Sequence, residues 1–274
     1  MNQSQLSAKA DRLRSLHSGK ILVLPNAWDV ASARVVEQAG FPAVASSSAG
    51  VAAVLGYPDG QLVSRDEMLD LVGRMARALE VPLTADLESG YGDAGKTVEA
   101  ALDAGAVGMN LEDLASGGRD LLVPIAAHEA AIGAARAAGD RRGVHFVINA
   151  RTDVYLASVG EPESRFDHAV QRGRAYLAAG ADCVFVPGVR DEETIGKLVK
   201  AIGGPINILV GPGSPSVQRL AALGVARVSA GSGPQRAAHT AARRAAEELR
   251  DRGTCTFAEG IMTWSDVNAL LARK

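Results

Sequence analysis

Short apolar runs alternate along the chain with longer segments that predict helices. Eight such runs predict strands, at residues 21–28, 43–47, 83–88, 107–112, 145–151, 183–187, 206–210 and 227–230. Most are continuously apolar, which is typical of parallel strands that are buried on both faces. Helices are predicted between them, for example at 64–79, 97–104, 163–179 and 234–250.

The ends of the predicted helices carry recognisable capping residues. Ser64 followed by Glu67 is the pattern of a capping box, which begins a helix. Glycine stands where four predicted helices end, and it adopts the positive φ of that position at little steric cost. These glycines are Gly40, Gly105, Gly180 and Gly224.

Eight alternations of strand and helix within roughly 230 residues favour a (β/α)8 TIM barrel. The alternative is a doubly wound sheet, which usually has fewer strands and a glycine-rich nucleotide turn after the first one. Here PNAWDVASA follows the first strand. We therefore expect one domain over residues 1–274, with a barrel core at about 20–250 and a helical extension at about 254–274.

Two further segments are interpreted from their length and position. The longest stretch with little predicted structure is 48–63, and loops of that length are often lids. The tail at 264–274 predicts an extra helix, which packs either on the barrel or on another subunit.

Charge and composition exclude several classes of partner. The chain has 29 Lys and Arg against 31 Asp and Glu, so no broad basic field for nucleic acid is expected. No apolar run reaches the ~18 residues of a membrane span. The N-terminus is polar, without the apolar core of a secretory signal, so a cytoplasmic location is expected. The two cysteines form no disulfide framework, and Cys183 is expected to be buried.

Polar side chains cluster at the carboxyl ends of the predicted strands, whereas the strand starts are apolar or proline. A barrel carries its active site at this end. The candidates are Asn26, Asp29, Ser46, Ser47, Ser48, Asp86, Glu88, Asn110, Glu112, Asp113, Asn149, Arg151, Asp153, Ser229 and Ser232.

Three of these candidates predict a metal site. Asp86 and Glu88 are two residues apart on a predicted strand, so they point to the same side, and Glu112 ends the next strand. Three neighbouring carboxylates need a neutralising cation, and Mg²⁺ (or Mn²⁺) suits carboxylates and water. The alternative is that Glu88 or Glu112 forms an ion pair with Arg151 or caps a helix.

The remaining candidates suit a small anionic substrate. The guanidinium of Arg151 suits a carboxylate or phosphonate, the alternative being a structural ion pair. The small-residue turn at 46–50 could hold a carboxylate on its amides and hydroxyls, or could simply pack. Asp59 lies in the turn GYPDG, where it either shapes the turn or enters the site when a lid closes.

A serine nucleophile is not expected, because none of the five histidines occupies an obvious base position. His145 begins a strand, at the wrong end of the barrel. The other four fall in helical or flanking segments and are expected at the surface: His17, His128, His168 and His239.

The motifs PNAWD, SSSAGVAAVLGYPDG, ADLESGYGD, NLED, INARTD and PINILVGPGSPSVQRLAALGVARVS resemble the isocitrate lyase/phosphoenolpyruvate mutase superfamily, over residues 16–233. Its short, bacterial, mutase-like members are the most similar. The resemblance implies a (β/α)8 barrel that exchanges its last helix with a neighbour in a homodimer or homotetramer. It also implies Mg²⁺ and a 2-oxo acid or enolate-type intermediate.

The resemblance also implies a role for each matching residue. Asp86 would be the principal metal ligand, with Glu88 and Glu112 holding the metal mainly through water. Ser47 and the Ser48 amide would bind the substrate carboxylate. Arg151 would bind the carboxylate or the departing group, and Asp59 matches the aspartate of the gating loop.

Two departures from the superfamily pattern affect the expected reaction. Glu88 replaces an aspartate and keeps its charge, so metal binding is retained. The region LASGGRDLLVPI lacks the Cys and His of the isocitrate lyase loop, so the acid of those lyases is missing. The phosphonate enzymes of the superfamily also use extra polar residues in this loop, and these residues have no clear match at Ser116 or Arg119.

The expected function is therefore a Mg²⁺-dependent carbon–carbon lyase or decarboxylase. Its substrate would be a small 2-oxo or 2-hydroxy di- or tricarboxylic acid, which reacts through an enolate. The alternatives are a phosphorus–carbon bond enzyme of the phosphonopyruvate mutase or hydrolase type, and a 2-oxo-acid binding protein without turnover.

Overall fold

The fold is that of a computed structural model, which describes residues 1–115 and 121–272. Within these residues nine strands form one sheet: β1 (Leu22–Leu24), β2 (Asn26–Ala27), β3 (Val44–Ser46), β4 (Leu83–Asp86), β5 (Gly108–Glu112), β6 (Val147–Arg151), β7 (Cys183–Phe185), β8 (Ile206–Leu209) and β9 (Arg227–Ser229). Their order is β1-β9-β8-β7-β6-β5-β4-β3-β2, and each neighbouring pair is parallel. The two ends of this order, β1 and β2, are consecutive in the chain. The sheet therefore curves round on itself into a barrel, as predicted.

The first strand is divided at Pro25, so the prediction of one strand over 21–28 is wrong. Proline has no N–H to donate to a neighbouring strand. Before it, Leu24 pairs with Ser229 of β9, and after it the chain pairs with β3 instead. The Asn26 side chain joins the two sides, since its Oδ1 accepts the Ala230 and Gly231 N–H groups at 2.9 and 2.8 Å.

Helices alternate with the strands around the barrel. They are α1 (Gln3–Ser15), α2 (Val30–Gln38), α3 (Ser48–Leu55), α4 (Arg65–Ala78), α5 (Ala94–Ala104), α6 (Ile125–Arg141), α7 (Arg165–Ala178), α8 (Glu192–Ile202), α9 (Val217–Ala222), α10 (Gly233–Arg252) and α11 (Trp264–Leu271). The capping box of Ser64 and Glu67 is confirmed at the start of α4. The four glycines predicted at helix ends all have positive φ, between 88° and 109°.

Several predicted boundaries are corrected by local interactions. The prediction of a structure-poor segment over 48–63 is wrong, because Ser47 caps α3 and this helix fills half of that segment. Helix α5 begins three residues before the predicted 97, since Asp93 accepts the Lys96 N–H and caps it. The strands are shorter than predicted by one or two residues at most of their ends, and β4 ends at Asp86 rather than at Glu88.

The hydrophobic core fills the layer between the sheet and the helices, and Cys183 is fully buried in it, as predicted. The predicted C-terminal helix is present as α11, which packs against α2. Arg34 Nε donates to the Leu270 carbonyl at 3.0 Å, which fixes this contact. Among the described helices none is both long and apolar enough to cross a membrane.

Candidate active site at the carboxyl ends of the strands

Asp86, the last residue of β4, is held by the turn that follows β3. Its Oδ2 accepts the Ser48 N–H at 3.1 Å and the Ser48 hydroxyl at 2.9 Å, while the Asp86 N–H donates to Ser46 Oγ at 2.9 Å. Asp86 Oδ1 is buried and has no hydrogen-bond partner among the described residues. One carboxylate oxygen is thus fixed in position and the other is left for a further ligand.

Ser47 and Ser48, the predicted anion cradle, form the first turn of α3. The Ser47 hydroxyl accepts the Gly50 N–H at 3.3 Å and caps the helix, so the N-terminal end of its dipole points toward the site. Ser48 already donates both its amide and its hydroxyl to Asp86. These two hydrogen bonds to Asp86 fix the position of Ser48 at the start of α3.

Glu88 lies beyond the end of β4, so the prediction that it shares a strand face with Asp86 is wrong. It adopts a left-handed conformation with φ of 54°, which is strained for a residue with a side chain. The Glu88 carbonyl accepts the Glu112 N–H at 2.9 Å, and this bond ties the turn to the end of β5. The turn still brings the Glu88 carboxylate within electrostatic range of Asp86 and Arg151.

Arg151, the last residue of β6, bridges two carboxylates. Its Nη1 lies 2.7 Å from Glu112 Oε2, and its Nη2 and Nε lie 2.8 and 2.9 Å from Asp153 Oδ1. The alternative of a Glu112–Arg151 ion pair is therefore the arrangement observed. The Arg151 guanidinium also lies over the Phe185 ring, 5.9 Å from its centroid, and the neighbouring carboxylates raise the pKa of Arg151.

Among the described residues, the site holds more carboxylates than Arg151 balances. Burial, together with Asp86 and Asp59, raises the pKa of Glu88 to about 7. Burial raises the pKa of Glu112 well above its ordinary value, and Arg151 only partly opposes this. A further cation in the mouth of the barrel would relieve both effects.

The donor set fits a hard divalent cation held by few direct protein ligands. Asp86 Oδ1 has no hydrogen-bond partner in the part of the chain that the structure describes, and the Glu88 and Glu112 carboxylates lie near enough to influence each other and Asp86. In residues 1–115 and 121–272, no three Asp, Glu, His or Cys side chains already form a group that could hold a metal ion. Mg²⁺ commonly keeps several waters and takes only one or two carboxylates, so this arrangement suits it.

Asp59 lies on the exposed loop between α3 and α4, close enough to Glu88 to contribute to the raised pKa of that residue. The same loop reaches the site through Gln61, whose N–H donates to Glu88 Oε1 at 3.3 Å. Gln61 has a positive φ of 60°. The loop thus lies beside the acidic cluster.

Two residues near the site, Tyr91 and Arg227, were not selected from the sequence, and the role of a third, Asp153, was missed. Asp153 was noted at a strand end, but its pairing with Arg151 was not expected. Tyr91 has a buried hydroxyl without a hydrogen-bond partner among the described residues, and burial together with the site carboxylates raises its pKa. Its position in ADLESGYGD, three residues after Glu88, could have indicated it.

Arg227 lies inside the barrel beneath the site. It is fully buried, and its Nη2 donates to Asn110 Oδ1 at 3.4 Å. Burial lowers the pKa of Arg227 to about 10, although Asp86 partly opposes this. Because the start of a strand is ordinarily structural, its sequence position gave no functional signal.

The other strand-end candidates have structural contacts. Asp29 caps α2, Ser229 bonds Asn207, and Asn149 donates to Asn110 Oδ1 at 2.8 Å. Asp113 is fully buried and accepts bonds from Arg172, Tyr176 and the Asp153 N–H. Ser232 is the residue before α10 and makes no side-chain cap bond. Ser116 and Arg119 lie outside the described residues.

The prediction of surface histidines is wrong for two of the four. His17 and His128 are buried, and burial lowers the pKa of each to about 4. His168 and His239 are exposed, as expected. His145 pairs with Asp182 at the opposite end of the barrel, which agrees with its exclusion as a base.

Fold and site together define a (β/α)8-barrel enzyme with an acidic mouth and one paired arginine. Residues 13–250 match the phosphoenolpyruvate phosphomutase family. An oxaloacetate decarboxylase of Rhodopseudomonas palustris (strain BisB5) is 32% identical, over 87% of this chain and 84% of its own length. The chain belongs to this family, and it is an enzyme of the isocitrate lyase/phosphoenolpyruvate mutase superfamily.

Two solved structures are similar over nearly their whole length. A lyase/mutase candidate from Burkholderia cenocepacia J2315 has a TM-score of 0.91 and 37% identity, covering 98% of both chains. A phosphonopyruvate hydrolase in complex with oxalate and Mg²⁺ has a TM-score of 0.84 and 28% identity, covering 96% of this chain and 94% of its own. The superfamily therefore includes a structure in which a small dicarboxylate and Mg²⁺ are bound together.

Proposed function

We propose that the protein is a Mg²⁺-dependent lyase or decarboxylase that breaks a carbon–carbon bond of a small 2-oxo or 2-hydroxy dicarboxylic acid through an enolate. The observation that carries the proposal is the unpartnered Asp86 Oδ1 within an acidic cluster that Arg151 only partly balances. A cation together with an anionic substrate would complete this charge distribution. The similarity to an oxaloacetate decarboxylase supports a dicarboxylate of four carbons as the first candidate.

Asp86 would hold the metal directly, and Glu88 and Glu112 would hold it through water. When bound, Mg²⁺ would supply positive charge beside the oxygen on which negative charge develops. Mn²⁺ takes the same oxygen ligands and would substitute.

The protein's own groups would bind and orient the substrate. The Ser47 hydroxyl, at the start of α3, would hold one carboxylate, and the Ser48 N–H would be shared between this carboxylate and Asp86 Oδ2. Arg151 would bind the carboxylate of the enolate fragment or the departing group, because its guanidinium offers paired donors. Asp59 would move inward with its loop and exclude water from the closed site.

The test is product analysis on a panel of acids, which should include oxaloacetate, malate and 2-methylmalate. We expect pyruvate, glyoxylate or oxalate to be released from at least one acid with Mg²⁺, and no release after treatment with a chelator. Failure on the whole panel would exclude the proposal. Cleavage of phosphonopyruvate, followed by ³¹P NMR, would assign the phosphorus–carbon alternative, and tight binding without turnover would assign a binding protein.

We also propose that the protein is a homodimer or homotetramer in which α11 contacts a second copy. Trp264 at the start of this helix is 82% exposed, and Ile261 just before it is 60% exposed. Large apolar side chains exposed together commonly mark an interface. Light scattering should give a mass of two or four chains, and deletion of 254–274 should reduce it.

A further inference from the structure

Asp113, the residue after β5, links that strand to helix α7. It is fully buried, and a buried carboxylate needs hydrogen-bond donors and a paired charge to be stable. Its Oδ2 accepts the Arg172 Nη1–H at 3.0 Å and the Tyr176 hydroxyl at 2.7 Å. Its Oδ1 accepts the Asp153 N–H at 2.9 Å. One oxygen of Asp113 is therefore held by α7, and the other holds the chain that follows β6.

Asp113 contacts the end of β6 at two points, and the Asp153 side chain completes a ring of contacts with Arg151. The Asp113 N–H donates to the Arg151 carbonyl at 3.1 Å, and the Asp153 N–H is the second point of contact. Asp153 Oδ1 accepts both Arg151 Nε and Nη2, at 2.9 and 2.8 Å. Asp153 Oδ2 is buried and has no hydrogen-bond partner among the described residues. Asp113 thus holds the backbone of Arg151 directly and its guanidinium by way of Asp153.

Arg172 is the cation that pairs with Asp113 among the described residues. Its Nη1 also donates to the Val123 carbonyl at 3.0 Å and to the Tyr176 hydroxyl at 2.9 Å. The Val123 N–H donates to the Asp113 carbonyl at 2.8 Å, so Val123 joins Arg172 and Asp113 a second time. Arg172 and Tyr176 are four residues apart on α7, so they lie on the same face of the helix. One nitrogen atom of Arg172 therefore contacts three acceptors, one of which is Asp113.

The charge of Arg172 affects how firmly Asp113 holds Asp153. A hydrogen bond to an ionised carboxylate is roughly twice as strong as one between neutral groups. Without Arg172, the Asp113 carboxylate would be a buried charge without compensation, which is unfavourable in that position. Its displacement would weaken the bond to the Asp153 N–H. The Asp153 carboxylate would then no longer fix the edge of the Arg151 guanidinium that lies opposite Glu112.

We propose that Arg172 is a positioning residue of the active site, which acts through Asp113 and Asp153 to fix the guanidinium of Arg151 for a substrate carboxylate. The proposal rests on the proposed function, in which Arg151 binds that carboxylate. It extends that function to α7, a helix whose side chains have no other part in the site. The alternative is a purely structural ion pair that holds α7 against the sheet.

The probe is oxalate, titrated calorimetrically with Mg²⁺ present, because it carries the carboxylates that Arg151 would bind. We expect Arg172→Met to weaken oxalate binding about tenfold or more, as for outer groups that orient the ligands of metal sites. Tyr176→Phe removes one donor from Asp113 Oδ2 but keeps the aromatic ring and the charge of Arg172. This milder variant should weaken oxalate binding about threefold, the factor of part of one hydrogen bond.

The matched control is Arg136→Met, which breaks the pair of Arg136 with Asp182 at the opposite end of the barrel. The two side chains of that pair are 16% and 12% exposed, against 13% and 0% for Arg172 and Asp113. This control should lower the unfolding temperature as well, but it should leave oxalate binding unchanged. Arg172→Lys offers three donors on one nitrogen for the three acceptors, so it should bind oxalate within about threefold of the wild type.

A double variant shows whether Arg172 acts through Asp153. Asp153→Asn keeps the Oδ1 acceptor but removes its charge, so it should itself weaken oxalate binding. Arg172→Met added to Asp153→Asn should then weaken binding by no more than about a further twofold, because residues of one network are not additive. A pair that only supports the fold would cause the same loss in both backgrounds.

The outcomes separate the two proposals. If the wild type binds oxalate but Arg172→Met binds it equally well, or if Arg136→Met weakens binding as much, the pair is structural and the positioning role is excluded. Equal losses in the wild-type and Asp153→Asn backgrounds would exclude it as well. If Arg172→Met does not fold, an unchanged oxalate affinity of Tyr176→Phe excludes the role and a threefold loss supports it. If the wild type itself does not bind oxalate with Mg²⁺, the proposed function is contradicted and the positioning role fails with it.

Discussion

Arg151 and Glu112 form a buried ion pair, with 2.7 Å between Arg151 Nη1 and Glu112 Oε2, at the adjoining ends of β6 and β5. The register of these strands pairs the two residues directly. Glu112 would therefore have to serve both Arg151 and a metal-bound water in the working enzyme. Asp153, on the other edge of the guanidinium, would keep Arg151 in place if Glu112 turned toward a bound metal.

Replacing Arg151 by methionine should destabilise the fold in a pH-dependent way. Removal of one member of a buried ion pair costs about 3–5 kcal/mol, because a charge is left without compensation. The pKa of Glu112 is already raised, so the unpaired carboxylate takes up a proton as the pH falls, and the loss should be smaller at pH 5 than at pH 7.5. Urea unfolding at both pH values measures this.

The control is Arg141→Met, which breaks the exposed pair of Arg141 with Glu99. Its free energy of unfolding should change by less than about 1 kcal/mol at either pH. Equal losses for both variants, or a loss at Arg151 that does not depend on pH, would contradict the account of the pair.

Glu88 should make the metal-free protein less stable as the pH rises. Its pKa is raised from 4.5 to about 7 in the fold, so its contribution is fully present below pH 4.5 and is lost as the pH rises through 7. At 1.36 kcal/mol per unit, the effect is about 3 kcal/mol. Glu88→Gln has no such titration, so its stability relative to the wild type should increase between pH 4.5 and 8. A constant difference between the two proteins in urea unfolding with a chelator would argue against a buried, uncompensated Glu88.

Asp59→Ala should reduce turnover without affecting the fold. Asp59 is exposed, and surface substitutions away from special features change stability by about 0.5 kcal/mol or less. Loss of Asp59 should also lower the pKa of Glu88, because Asp59 contributes to raising it. The matched control is Asp66→Ala, at an exposed aspartate of α4. Steady-state kinetics in which the two variants behave alike would rule out a role for Asp59 in closure.

Gly50→Ala should displace the anion cradle. An added Cβ would lie 2.8 Å from Trp28 Cβ, which is too close to be accommodated without moving α3 and with it Ser48. We expect a loss of about 1–3 kcal/mol, as for overpacked cores, and a higher KM. Gly133→Ala in α6 has open space around the new methyl group and should stabilise by about 0.5–1 kcal/mol. Thermal unfolding of both variants is the measurement, and the prediction fails if Gly50→Ala is as well tolerated as Gly133→Ala.

The sequence was sufficient to predict the barrel and to bring Asp86, Glu112 and Arg151 to one end of it. Buried parallel strands have a strong apolar signature, and polar residues at their carboxyl ends must meet. The positions of Asp86 and Glu112 follow from strand alternation alone.

Other features depend on contacts that a local pattern does not contain. Glu88 leaves the strand with a positive φ, and its carbonyl bonds the Glu112 N–H, a contact that exists only once β4 and β5 are side by side. His128 is buried because Tyr176, on the neighbouring helix, covers it. The preference of Glu112 for Arg151 depends on a distance of a few ångströms, which strand order alone does not define.

The central claim is that Asp86 and Mg²⁺ together create the site for the enolate fragment. Oxalate resembles such an enolate, and calorimetric titration of oxalate tests the claim most directly, with wild type and Asp86→Asn, each with and without Mg²⁺. We predict that the wild type binds oxalate only when Mg²⁺ is present. Asp86→Asn, although folded, should not bind oxalate with or without Mg²⁺. Oxalate binding of equal strength without Mg²⁺, or unchanged in Asp86→Asn, would contradict the account.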